Sequence, residues 1–241
     1  CGFPAGGILL VSALAAVVWC SAYGYTLEKV AYQPLRSAPR LSPLISAIGM
    51  SIFLQNYVLL AQTSDFVPFP NLLPPMDFLE HIGYVMGPSD FLILMTSTLA
   101  MIALTLFIRF TRLGKAMRAT AQNRKMALLL GINADRIISL TFVVGSTLAA
   151  LGGVLIASHM GQVNFGIGFL AGIKAFTAAV LGGIGSIPGA MVGGIVLGLA
   201  ESFTTGYFSG NYEDMLAFGI LILILIFRPD GILGKASVQK V

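Results

Sequence analysis

Hydrophobic positions dominate this chain in long runs, broken by short polar segments. Predominantly apolar stretches fall at about residues 5–27, 41–61, 91–108, 137–158, 165–183, 187–203 and 215–228. A helix crossing a hydrocarbon core needs about 20 residues, and most of these runs reach that length. The spacing predicts an all-α polytopic membrane protein with about seven transmembrane helices, read as a single transmembrane domain over residues 1–241. The last run, MLAFGILILILIF, is short enough to be a re-entrant piece instead. Glycines and Pro188 interrupt the fifth and sixth runs.

Composition agrees with the pattern. Of 241 residues, 56% are hydrophobic and only 10% charged, with a mean hydropathy of +0.89. Soluble domains carry about a quarter of their residues as charges.

The charges sort by segment. Residues 28–40, 109–136 and the tail hold three, seven and three of the fourteen lysines and arginines. The 62–90 and 201–214 segments hold none of these, but seven of the ten acids. Seven crossings put every basic segment on one side, and the positive-inside rule makes that side, with the C-terminus, cytoplasmic. A re-entrant fifth run would reverse the tail, so the charge parity favours a crossing. The Pro-rich loop QTSDFVPFPNLLPPMDFLEHIGYVMGPSD is then extracytoplasmic, either a docking cap or a plain connector. A net charge of +4 without a basic stripe interleaved with aromatics excludes nucleic acid as a partner.

Enzymatic signatures are missing. Gly114–Lys115 and Gly234–Lys235 are each followed by alanine, so neither is a phosphate-binding loop. Two histidines, His81 and His159, and two cysteines far from them offer no metal pattern.

Three features carry the candidate chemistry. In GGIGSIPGAMVGGIVLG, Gly185, Gly189 and Gly193 recur every fourth residue, as do Gly194 and Gly198. This spacing marks close helix packing, with Ser186 and Pro188 as a helix start. Lys174 is the one basic residue inside an apolar run. An ammonium near the bilayer centre costs about 2.5–3.5 kcal/mol. Lys174 either snorkels to an interface or faces a polar path shared with Asn164 and Ser186, for which Asn164 and Gly166, Gly168 and Gly172 predict a broken helix ahead of Lys174. The third feature is TRLGKAMRATAQNRKMALLLGINADR. Arg109, Arg112, Lys115 and Arg118 recur every three residues, a pattern that extends the third helix beyond the membrane. Asn123, Arg124, Lys125, Met126, Ala127, Leu130, Gly131 and Ile132 form a second unit. In it Met126, Leu129 and Leu130 share one side, and Gly131 stops the helix. That helix either enters a partner's groove or rests on anionic lipid.

The segment from Arg112 through RIISLTFVVGSTLAALGGVL resembles the cytoplasmic loop and following span of branched-chain amino acid ABC transporter permeases. KAFTAAVLGGIGSIPGAMVGGIVLG is similar to the same family's glycine-rich signature, and VAYQPLRSAPRLSPLISAIGMSIFLQN to its H-type subunit. The closing RPDGILG also fits.

The resemblance implies an importer of leucine, isoleucine and valine in the bacterial inner membrane, pairing this chain with a second, M-type permease. Two cytoplasmic ATPase subunits would bind ATP and magnesium, leaving no cofactor on this chain, and a periplasmic amino-acid-binding protein would deliver substrate. Residues 123–132 would be the helix that docks on the ATPase, with Gly131 as the motif glycine. The family's usual opening segments, with an NFAHG-like stretch, are absent, which gives the expectation of a sequence lacking its N-terminal portion. Related permeases for urea or short amides share the architecture. An ion-coupled secondary transporter is the rival class, but it calls for paired intramembrane acids and repeated halves.

Overall fold

The computed structural model describes residues 5–37, 41–62, 64–69, 88–183, 185–228 and 231–234. Nine α-helices run through these residues: α1 (Ala5–Leu27), α2 (Leu41–Ala61), α3 (Pro88–Phe110), α4 (Arg112–Gln122), α5 (Arg124–Leu129), α6 (Ala134–Met160), α7 (Ile167–Gly182), α8 (Ile187–Tyr207) and α9 (Glu213–Phe227). Each of the seven apolar runs becomes a helix, and α4 and α5 occupy the basic insert. The fold is an all-α polytopic membrane protein. Asp90–Phe110, Ala134–Met160 and Ile187–Tyr207 are long and apolar enough to cross a bilayer by length and composition, and Ile45–Ala61, Ile167–Gly182 and Asp214–Phe227 are shorter apolar helices. Most of the 62–90 loop, with His81, lies outside the described residues, as do Arg40, Lys235 and Lys240.

Burial follows membrane rather than aqueous rules. Large apolar side chains such as Leu60, Trp19 and Phe203 are exposed, whereas Ala31, Ala150, Ala157, Ala178 and Ala217 are buried. Lipid tails solvate large side chains as well as a protein core does, so contact between helices depends on small residues that let backbones approach.

The chain divides into two compact units, Cys1–Phe165 and Gly166–Val241. In the first, α1 packs along α6. A Cβ on Gly24 would stand 1.9 Å from Ser146 Oγ, so only glycine permits this approach. Ser21 and Thr147 share a hydroxyl hydrogen bond of 3.0 Å across the same seam. Beyond α1 the chain widens into a π-helical turn, Glu28–Tyr32, and then tightens into a 3-10 turn, Pro34–Ser37. Tyr32 meets Phe142 with ring centroids 4.8 Å apart, and burial raises its phenol above the ordinary value.

At the other end of this unit, α6 closes on Gly161 in the left-handed region (φ 67°). A minimal antiparallel pairing follows, β1 (Val67–Pro68) with β2 (Gln162–Val163), and the Phe69 amide donates to the Gly161 carbonyl at 2.8 Å. This small ribbon was not visible in the helical pattern. His159, near the end of α6, lies 3.2 Å from Asp90 at the start of α3.

In the second unit α7 and α8 form a hairpin, with α9 packed on both; Ala178, Leu197 and Ala217 form the buried cluster with Ile220 against it. α7 is continuous through Gly168 and Gly172, so the break expected ahead of Lys174 does not occur. In a bilayer an opened backbone finds no water to bond, which outweighs the weak helix propensity of glycine. The interruption comes later, at Gly183 (φ 105°) and Gly185 (φ 94°). Ser186 then caps α8, its hydroxyl accepting the Gly189 amide at 3.1 Å, with proline in the first turn. After α9 the chain returns to the end of α7: the Ile232 and Leu233 amides donate to the Leu181 and Gly182 carbonyls at 2.9 and 3.0 Å.

Candidate functional site

The basic insert is built by a series of caps. Thr111 is extended (φ −78°, ψ 156°), and its hydroxyl oxygen accepts the Gly114 amide at 3.0 Å. The helix therefore stops and restarts, and the basic repeat does not extend α3 as its spacing predicts. Instead α4 folds back on the end of α3: a Cβ on Gly114 would lie 2.4 Å from the Ile108 carbonyl oxygen. A hydroxyl capping residue and a glycine three positions later override the charge periodicity.

Asn123 serves two helices. Its amide donates to Ala119 at the end of α4, and its Oδ1 accepts the Met126 amide at 3.1 Å to start α5. At the far end, the Gly131 amide donates to Leu128 and the Ile132 amide to Ala127, each at 3.0 Å, with Gly131 at φ 78°. These two bonds form a Schellman closure, which needs the left-handed residue that glycine supplies at least cost. Six residues are too few to hold a helix by propensity alone, so the caps at both ends define α5.

Of the side chains on α5, Ala127 is buried at 2% exposure, while Met126, Leu128, Leu129 and Leu130 are 58, 53, 82 and 77% exposed. Arg124 and Lys125 are exposed, and Ile132 is half-buried. The structure thus presents a short, rigidly capped helix with a bare apolar surface and a basic first turn.

Behind α5 lies an ionic chain that the sequence reading missed. Arg124 reaches Asp135, in the first turn of α6, at 2.9 Å. Asp135 also pairs with Arg36, and Arg36 pairs with Glu28, which is 0% exposed. The Ser139 hydroxyl donates to Glu28 Oε2 at 2.6 Å. One signal was available: Glu28, Asp135 and Asp230 are the three acids lying in the basic segments. Next to the chain opens a cleft of about 420 Å³, lined by Tyr25, Lys29, Gln33, Asp135, Arg136 and Ser139 among others.

Lys174 belongs to a separate cluster within the second unit. Its Nζ lies 3.3 Å from Glu201 of α8 and 3.3 Å from Asp214 of α9. It therefore joins three helices through two carboxylates. Ser186, at the opposite end of α8 from Glu201, is about 22 Å away along the axis at 1.5 Å per residue. Asn164 follows β2 in the first unit and is partly buried. Of the three residues assigned to a path, Lys174 and Ser186 thus stand at different levels of the second unit, and Asn164 belongs to the first.

The glycine series also divides. Gly189 and Gly193 abut α7, where a Cβ would lie 2.4 Å from the Gly182 carbonyl oxygen and 2.1 Å from the Ala178 carbonyl oxygen. Gly182 completes this contact. Gly194 approaches only Ala178 Cβ, at 3.9 Å, and Gly198 meets nothing within 4 Å. Gly185 lies in the turn before α8 and supplies a positive φ. Among the described residues, no group of three or more His, Cys, Asp or Glu is placed to hold a metal ion.

A family model described as branched-chain amino acid transport system / permease component matches residues 6–225. The high-affinity branched-chain amino acid transport system permease protein BraD of Pseudomonas aeruginosa is 55% identical over 237 residues, covering 97% of this chain and 77% of the relative. LivH of Escherichia coli K12, with the same description, is 52% identical over 240 residues, covering 98% and 78%. The autoinducer 2 import system permease protein LsrC of Yersinia enterocolitica is 32% identical over 149 residues, covering 59% and 41%. No solved structure matches the chain. With a match across nearly all of its spans and relatives above half identity, this chain belongs to the family of branched-chain amino acid transport system permease components.

Proposed function

We propose that the chain is the permease subunit of an ATP-driven, binding-protein-dependent importer of branched-chain amino acids in a bacterial inner membrane. It forms a single permease domain and works with a second permease subunit. Two separate ATPase subunits bind ATP and magnesium, and a periplasmic binding protein delivers the amino acid. In this reading the chain has no catalytic site of its own. The basic segments and the C-terminus face the cytoplasm, by the positive-inside rule. The similarity to BraD and LivH, both described as high-affinity branched-chain amino acid transport system permease proteins, supports the substrate class.

The observation that carries the reading is α5. A helix of six residues, capped at both ends and leaving Met126, Leu129 and Leu130 bare, is suited to enter a groove on another protein. A lipid-resting helix draws its affinity from the apolar area it buries, of which six residues offer little. The ATPase is the partner this reading assigns to it, with Asn123 through Ile132 as the docking segment.

Reconstitution tests the proposal. The chain, the second permease and the ATPases are placed in liposomes with the binding protein, and leucine uptake is followed. Uptake requiring both ATP and the binding protein is the expected result. Uptake by the chain alone, or driven by an ion gradient without ATP, overturns the importer. Uptake of urea or short amides in place of leucine overturns the substrate class.

A further inference from the structure

If α5 docks on a motor, its displacement has to reach the spans, and α5 alone is a poor lever. It is six residues long, with only Ala127 buried. Besides its junction with α4 at Asn123, two routes lead from it to α6. One is the backbone into α6, which passes through the Gly131 turn at φ 78°. The other is the Arg124 guanidinium, held to Asp135 at 2.9 Å. From Asp135 the path continues through Arg36 to Glu28 at the base of α1. Arg36 and Asp135 are 99 positions apart in sequence, so this path joins segments that local chain geometry does not bring together.

The joints differ in character. Arg124 and Asp135 are 41% and 54% exposed, so water screens their pair and it opens readily. Arg36 and Glu28 are 13% and 0% exposed, and Glu28 also holds the Ser139 hydroxyl at 2.6 Å. That pair cannot open without stranding a charge away from water.

Resting on the proposed docking of α5, we infer that Asp135 and Glu28 are positioning residues of the transport cycle. Arg124–Asp135 is the releasable joint and Arg36–Glu28 the fixed anchor through which movement of α5 is passed to the base of α1. Neither acid touches substrate or nucleotide in this scheme; their effect is on how much transport each hydrolysed ATP produces.

The test is the ratio of ATP hydrolysed to leucine taken up by the full reconstituted transporter. Asp135→Asn is expected to raise that ratio at least fivefold while the amount of co-purified ATPase stays at wild-type level. Asp135→Glu, which keeps the charge, is expected to return it to within twofold of wild type. Glu28→Gln is expected to raise it at least as far as Asp135→Asn. A purely structural role would instead lower the yield of complex and leave the ratio per complex unchanged, and that result overturns the inference. So does a ratio within twofold of wild type for Asp135→Asn. Should Glu28→Gln fail to assemble, Asp135→Asn decides alone, because its carboxylate is half exposed. Wild-type complex without ATP-dependent uptake removes the proposed function and the relay together. Wild-type uptake with unchanged ratios in the variants removes only the relay.

Discussion

Gly182 and Gly189 meet backbone to backbone: a Cβ on Gly182 would stand 1.9 Å from the Gly189 carbonyl oxygen, and one on Gly189 2.4 Å from that of Gly182. No side chain rearrangement relieves such a clash, because both walls are main chain. Gly182→Ala and Gly189→Ala are each expected to cost about 1–3 kcal/mol, the usual penalty of overpacking. Gly198→Ala, which meets nothing within 4 Å, is expected to stay within about 0.5 kcal/mol of wild type. Thermal unfolding in detergent measures all three. Equal loss in Gly198→Ala would show that glycine content rather than the α7–α8 contact governs stability.

Gly131→Trp is expected to abolish co-purification with the ATPase while leaving membrane insertion intact. The change strains a position at φ 78° and places a large ring beside the exposed face of α5. Gly131→Ala carries only the backbone strain, on the order of 1 kcal/mol, and is expected to weaken association partially. Wild-type ATP-dependent uptake in Gly131→Trp would refute α5 as the docking segment.

Lys174→Met leaves Glu201 and Asp214 facing each other without their cation. Glu201 is 17% exposed, so the expected loss is on the order of 1–3 kcal/mol. Removing the acid as well, in Lys174→Met with Glu201→Gln, is expected to recover at least half of it. Melting temperature reads the structural part, and leucine uptake reads any role in translocation. Unchanged uptake and unchanged melting in Lys174→Met would dismiss both roles.

Ser186→Ala removes the acceptor of the Gly189 amide at the start of α8, an expected loss of about 1 kcal/mol. Ser186→Asp is expected to keep the cap and lose much less. Hydrogen exchange at the first turn of α8 reports the effect directly.

The seven apolar helices were legible because a bilayer admits few alternatives to a helix, so hydropathy alone marks them. Local signals at helix ends were also legible. Gly131 and Ser186 announce their caps through chemistry that acts within four residues. The stop at Thr111 was written in equally local terms, but a threefold charge repeat masked it. Glu28 was not legible: Ser139, which it holds, lies 111 positions away, and nothing near Glu28 specifies that contact. The partners of Lys174 had the same difficulty, since the α7–α8 turn and α9 must be in place before Glu201 and Asp214 converge on it.

The return of the chain from α9 to the last carbonyls of α7 makes the second unit a closed circuit. A polypeptide whose far end is stitched to its own hairpin cannot shear one helix past the next without first undoing the stitch. Gly231, where a Cβ would lie 2.4 Å from the Gly183 nitrogen, is the eyelet of that stitch. Force applied at any point of the circuit is therefore shared by α7, α8 and α9, which favours their displacement as one body over sliding within it.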